Sequence, residues 1–200
     1  MKDKIISKAS QDFLQKGVRN MSVQNLVDSL GISTKTFYKY FKNKEELLEE
    51  VLILHYNQQF KLIQEYSREQ NPVFVLLNVW MKAFQVDTDV NNKFYSDIHN
   101  YYSELERRVE SKVSNTFWLE FQRLIQAGIN EGLFLKNILP EVVMESIAVL
   151  YGTAVRTDQY VKFQISADQS FLNTVALVIR GICTPKGLVF FDNYFEAHQK

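Results

Sequence analysis

The sequence is poor in the residues that interrupt helices and staple small folds. Among 200 residues there are one cysteine, three prolines and seven glycines. A lone Cys183 excludes an intrachain disulfide framework, and with it the small secreted scaffolds that depend on one. No apolar run approaches the ~18 residues of a membrane-spanning helix, so no membrane association is expected. The opening stretch MKDKIISKASQDF mixes acids and polar residues with its apolar ones, so a signal peptide is not expected, and a cytoplasmic protein is. Net charge is zero, yet unevenly spread. Residues 1–48 hold nine Lys or Arg against five Asp or Glu, a balance of +4, and the remainder carries −4. A basic head on an acidic body points to an anionic partner for the head.

What is present is helical periodicity almost everywhere. Apolar residues make up 46% of the chain and aromatics 14%, with 15 Phe and 10 Tyr. Together with the scarcity of Pro and Gly this predicts an all-α protein of about nine helices: a three-helix head and a larger helical bundle. Ile5, Ile6, Ala9, Phe13 and Leu14 share one face of a first helix that stops near Gly17. Ser22 caps a second helix with the stripe Val23, Leu26, Val27 and Leu30, closed by Gly31. Ser33 caps a brief third, about Thr34 to Tyr40, in which Ile32 can pack on Phe37. Asn43 caps a fourth, with Glu46 placed for a capping box. Asn71-Pro72 opens a fifth, Ser103 a seventh, Pro140 an eighth reaching to about Phe163, and Ser166 a ninth running to about Ile182. The tail GLVFFDNYF is too apolar to hang in water and is expected to pack back on the body.

The stretch ISTKTFYKYFKNKEEL is dense in hydroxyls, lysines and rings, yet too short and polar for a core helix. Helix two, a tight turn and this short helix form a helix-turn-helix, whose second helix enters the DNA major groove. Thr34, Lys35 and Thr36 sit at its N-terminal end, where base edges are reached. A threonine can hydrogen-bond a base or meet a thymine methyl, and a lysine can donate to guanine. Tyr38, Lys39 and Tyr40 suit phosphate oxygens, and Lys44 opens the fourth helix where the positive dipole end favours another phosphate. Ser22, Gln24 and Ser33, at the starts of the two short helices, complete the candidate DNA contacts.

GISTKTFYKYFKNKEEL closely resembles the signature of TetR-family transcriptional regulators, and Gly17, Ser22, Leu26 and Gly31 fall where that family keeps its turns, cap and core leucine. The likeness is good over residues 5–48. Farther on, FQRLIQAGINEGLF looks like the family's end of the seventh helix. Val27 stands where an alanine is usual and Lys35 where a small residue is usual, so no base preference is carried over. The resemblance implies a DNA-binding domain at 1–48 and a helical ligand-binding and dimerisation domain at 49–200. It implies double-stranded DNA, a small-molecule effector and a second copy of the chain as partners, with repression as the family's default.

For a dimer through the last two helices the candidates are Ala148, Gly152, Phe171, Val175, Val178, Ile179 and Ile182. For an apolar pocket they are Trp80, Phe84, Phe94, Tyr95, His99, Tyr102, Trp118, Phe121 and Tyr151. The three histidines lie far apart, and no phosphate loop, cysteine pair or nucleophile elbow occurs. No catalytic residues, metal or cofactor are therefore expected, and neither is an enzyme. Cys183, late in an apolar helix, reads as an inert buried thiol. Two alternatives share the same helices: a DNA-binding protein without an effector, and a helical protein-interaction module.

Overall fold

The computed structural model describes residues 1–66, 71–88, 90–157 and 159–198. Among them the regular secondary structure is helical, apart from one isolated β-bridge between Phe134 and Cys183. It divides into two compact units, Met1–Gln58 with Asp89–Val113, and Gln59–Thr88 with Ser114–Lys200.

The first unit is built from α1 (Lys2–Lys16), α2 (Val23–Leu30), α3 (Thr34–Tyr38), the start of α4 (Lys44–Tyr66), α6 (Asn92–Tyr101) and the start of α7 (Ser103–Asn130). Its core is one apolar cluster. Ile5, Ala9 and Phe13 of α1 meet Leu26 and Val27 of α2, Phe37 of α3, and Leu47, Leu48, Val51 and Leu52 of α4. Phe94 and Ile98 of α6 and Leu105 and Val109 of α7 belong to the same cluster. The stripes read from the sequence therefore face inward as their spacing dictates.

Asp12 is a buried carboxylate in this unit, held by Lys16 at 2.9 Å and Lys8 at 3.1 Å, each four residues away on α1. Burial pushes its pKa up, but the hydrogen bonds and charges of the two lysines outweigh this and hold it below the ordinary carboxylate range. A depressed folded-state pKa gives stability that is present above the unfolded value, near 4, and lost as pH falls through the folded one. Asp12→Asn is thus expected to lose ~1–2 kcal/mol at pH 7. Its deficit against the wild type should shrink below about pH 4, as urea titrations at both pH values would show.

The second unit comprises α5 (Pro72–Thr88), the later part of α7, α8 (Pro140–Arg156), α9 (Ala167–Leu172), α10 (Val175–Ile182) and α11 (Pro185–His198). Its core gathers Val73, Leu76, Trp80 and Phe84 of α5 with Phe121 and Ile125 of α7, Met144, Ile147 and Tyr151 of α8, and Phe171, Val175 and Ile179. Helix α5 packs against α8, α9, α10 and α11, which explains why its sequence is apolar almost all round.

Three differences from the expected elements have local causes. The eighth helix ends at Arg156, and a single 3-10 turn follows at Val161–Phe163. The expected ninth helix is two. Asn173 Nδ2 donates to the Gln169 carbonyl and Thr174 Oγ1 to that of Ser170, and the backbone leaves helical geometry at Thr174 (φ −129°, ψ −91°). The apolar tail is an additional helix, α11, with Phe191 and Tyr194 buried and Phe190 edge-on to Phe74 of α5. Gly187 lets α11 approach closely, since a Cβ there would lie 2.1 Å from the Leu133 carbonyl oxygen.

Candidate nucleic-acid interface

The reading head is assembled by local backbone chemistry. Ser22 Oγ accepts from the Asn25 N–H at 3.0 Å while Asn25 Oδ1 accepts from the Ser22 N–H at 3.1 Å, a reciprocal cap with Asn in place of the usual Glu or Gln. Helix α2 ends in left-handed geometry at Gly31 (φ 63°, ψ 36°), a conformation glycine adopts without a steric penalty. Extended backbone at Ser33 then starts α3, and its hydroxyl accepts from the Thr36 N–H at 3.1 Å.

Helix α3 and the two residues after it set one ring in the core and most of the rest in water. Phe37 is buried in the head's core, with ring contacts to Phe41 at 5.5 Å and Tyr38 at 5.3 Å. Thr34, Lys35, Tyr38, Lys39 and Tyr40 are all exposed, Tyr38 at 57%. No described residue forms an ion pair with Lys35, Lys39 or Lys42. Rings and cations on a water-exposed face, anchored by a ring on the other, form a surface suited to phosphate and base edges.

Other candidates are partly engaged within the chain. Thr36 is half-buried with its hydroxyl 2.9 Å from that of Ser33, which leaves its methyl as the freer group. Gln24 is exposed and donates to Asp28 at 2.7 Å. Lys44 is half-buried, and its ammonium donates to the Val18 carbonyl at 2.7 Å, tying the start of α4 to the α1–α2 loop. Burial pushes its pKa down. The first-turn N–H groups of α4 therefore remain its better phosphate donors. The Asn43 cap is present, its side chain accepting from the Glu46 N–H at 2.8 Å, but Glu46 returns to the N–H of Lys42 rather than to that of Asn43.

A set of residues not singled out in the sequence fastens α6 to this head. The Asn91 N–H and side chain donate to the carbonyls of Leu14 and Gln15 at 2.8 and 2.9 Å, closing the C-terminal end of α1. The Arg19 N–H donates to Asp97 at 2.7 Å, and its guanidinium lies 4.1 Å from the Tyr101 ring centroid. Gly17 (φ 82°) has the Lys93 and Asp97 side chains against it, leaving a Cβ only 3.0 Å from each. These contacts span more than 70 residues of sequence, and only the Gly17 turn signalled them beforehand.

The candidate pocket residues fall in two places. Trp80, Phe84, Phe121 and Tyr151 meet in the second unit's core, with Trp118 packed against it. Phe94, Tyr95 and Tyr102 belong to the first unit's core, and His99 is exposed. The candidate dimer residues also separate. Phe171, Val175, Ile179 and Ile182 are buried within the chain's own core, while Ala148, Gly152 and Val178 are half-buried. The outer face of α10 instead shows Leu177 and Gly181, and that of α8 shows Val142 and Val149. Cys183 is buried, donates to the Ile179 carbonyl, and burial pushes its pKa up to about 12, so it holds its proton at neutral pH.

Residues 5–51 match the family described as bacterial regulatory proteins, tetR family. Over 193 residues the chain is 24% identical to the HTH-type transcriptional repressor KstR2 of Mycolicibacterium smegmatis, spanning 93% of this chain and 92% of that protein. It is 27% identical over 128 residues to the dhaKLM operon transcriptional activator DhaS of Lactococcus lactis, spanning 60% and 68%. Among solved structures, the transcriptional regulator FadR from Bacillus subtilis in complex with stearoyl-CoA shares the fold with a TM-score of 0.73, at 17% identity over 90% of this chain and 98% of the other.

Proposed function

We propose that this chain, which belongs to the tetR family of bacterial regulatory proteins and is a DNA-binding transcriptional regulator, is a cytoplasmic homodimeric repressor that a small apolar effector releases from a palindromic operator. The observation that carries the reading is α3: a helix of five residues with Phe37 in the core, Thr34, Lys35 and Tyr38 in water, and the exposed Lys39 as its C-cap. One such helix reads few base pairs, and two copies related by a two-fold axis read a palindrome. The relative named a repressor supports repression, and the FadR structure named with stearoyl-CoA, whose acyl chain is apolar, supports an effector with an apolar portion. An effector shifts the equilibrium only if it binds the DNA-free geometry more tightly than the DNA-bound one.

Lys35 and Thr34 read bases, whereas Tyr38, Lys39 and the first turn of α4 hold phosphates. Lys35→Ala is expected to weaken the preferred site by ~1–3 kcal/mol while changing non-specific affinity little. Tyr38→Phe and Lys39→Ala are expected to weaken every sequence alike, and loss of Lys39 to lower the salt slope by about one. Competition binding on operator and scrambled DNA separates the two patterns. Equal losses on both DNAs for Lys35→Ala would contradict its base-reading role. The direction of control follows from deleting the gene: transcripts of adjacent genes should rise. A fall would make the protein an activator, as DhaS is named.

A further inference from the structure

Helix α5 turns Trp80, Phe84 and Asp87 into the second unit's core at spacings of four and three residues, a single helical face. The Trp80 indole stacks on Phe121 of α7, with centroids 5.5 Å apart, and meets the Tyr151 ring of α8 at 5.2 Å. Tyr151 also meets Phe84 at 5.2 Å, and its hydroxyl donates to Asp87, which is fully buried. The Arg156 guanidinium stands 5.5 Å from the Tyr151 ring centroid. The carboxyl and phenol thus answer each other inside an aromatic cluster.

Trp80 Nε1, on a side chain 4% exposed, and Ser170 Oγ of α9, 5% exposed, have no hydrogen-bond partner among the described residues. Ser170 adjoins Phe171, whose ring lies 5.5 Å from that of Phe84. A buried donor left unpaired costs about 1–3 kcal/mol, so groups of this kind are seldom kept in a core without use. The aromatic rings supply a surface for a flat apolar body, and the spare donors supply its polar recognition.

We infer that Trp80 Nε1, seconded by Ser170 Oγ, is the polar recognition point for the effector, and that the effector is a flat apolar molecule carrying a carbonyl or similar acceptor oxygen. This rests on the reading that the second unit binds an effector, and it adds the chemical class and the contact atom.

Two matched probes test it on the full-length protein: 2-acetylnaphthalene and its acceptor-free analogue 2-ethylnaphthalene. The two tryptophans give two indole N–H signals in a proton–nitrogen spectrum, and Trp118→Phe assigns that of Trp80. The acetyl compound should move the Trp80 signal downfield and bind roughly five- to tenfold more tightly than the ethyl compound. Trp80→Phe should erase that preference while leaving the ethyl compound's affinity nearly unchanged. Equal binding of the acetyl and ethyl compounds, a Trp80 signal unmoved at saturation, or no binding of either probe would each overturn the inference. The wild-type spectrum decides even if Trp80→Phe folds poorly. Failure of the broader effector reading would show separately, as a complete lack of compounds that release operator DNA.

Discussion

Phe37→Ala is expected to destabilise the reading head by about 3–5 kcal/mol and to abolish operator binding under conditions where the wild type binds tightly. The reason is the length of α3. Five residues make little more than one turn, far below what propensity alone sustains in water. The helix is held by its Ser33 cap and by one ring, Phe37, which reaches a core shared by Ile5, Phe13, Leu26, Val27, Leu47 and Leu48. Truncating that ring removes its transfer free energy and leaves a void the surrounding rings close only in part. Phe37→Leu should fall between the wild type and alanine. Tyr38→Phe, whose ring is mostly in water, should leave stability within about 0.5 kcal/mol while still losing phosphate affinity. Urea unfolding by circular dichroism, run beside DNA binding, separates the two effects. Wild-type stability for Phe37→Ala would contradict the burial of that ring.

The second large effect is expected at Leu177. Helix α10 is apolar on both sides: Val175, Ala176, Ile179 and Ile182 face the core, and Leu177 is 58% exposed on the outside with Gly181. Val149 is 59% exposed on α8, which packs against α10, and Gly152 on that helix has open space where a Cβ would stand. Exposed leucine and valine beside open glycines form the kind of patch a second copy covers. Leu177→Arg should place a charge in that interface and yield monomers by light scattering. Operator affinity should then fall by about 100-fold or more, because the second half-site contact is no longer intramolecular. Folding should be nearly unaffected, since Leu177 makes no part of the buried core. A Leu177→Arg protein that stays dimeric would move the interface elsewhere.

How far the sequence carried depended on the range of the interaction that decides each feature. Caps at Ser22, Ser33 and Ser166 and the turn at Gly31 are settled within four residues, and the structure has them as read. Phe37 follows from its spacing to Ile32. The break at Asn173-Thr174 was hidden because the apolar period continues across it while the side chains bond backward. The stripe Phe171, Val175, Ile179 and Ile182 was read as a dimer face, but periodicity cannot say whether the partner is the same chain or another, and these four side chains lie in the chain's own core. Asn91 and Asp97 act on carbonyls and amides of α1 and its loop across more than 70 residues, a pairing no local pattern encodes. Lys44 was read as a phosphate contact from its place at the dipole end of a helix, and no local pattern told that its ammonium also donates to the Val18 carbonyl.

The central claim is that the face of α3 reads a specific DNA sequence. Fluorescence anisotropy of the purified protein on the DNA flanking its own gene, with unrelated DNA as control and two salt concentrations, tests it most directly. The expected result is tight binding that weakens with salt and prefers the flanking DNA by at least 10³-fold, the low end for specific regulators. No binding to either DNA at low salt would contradict it.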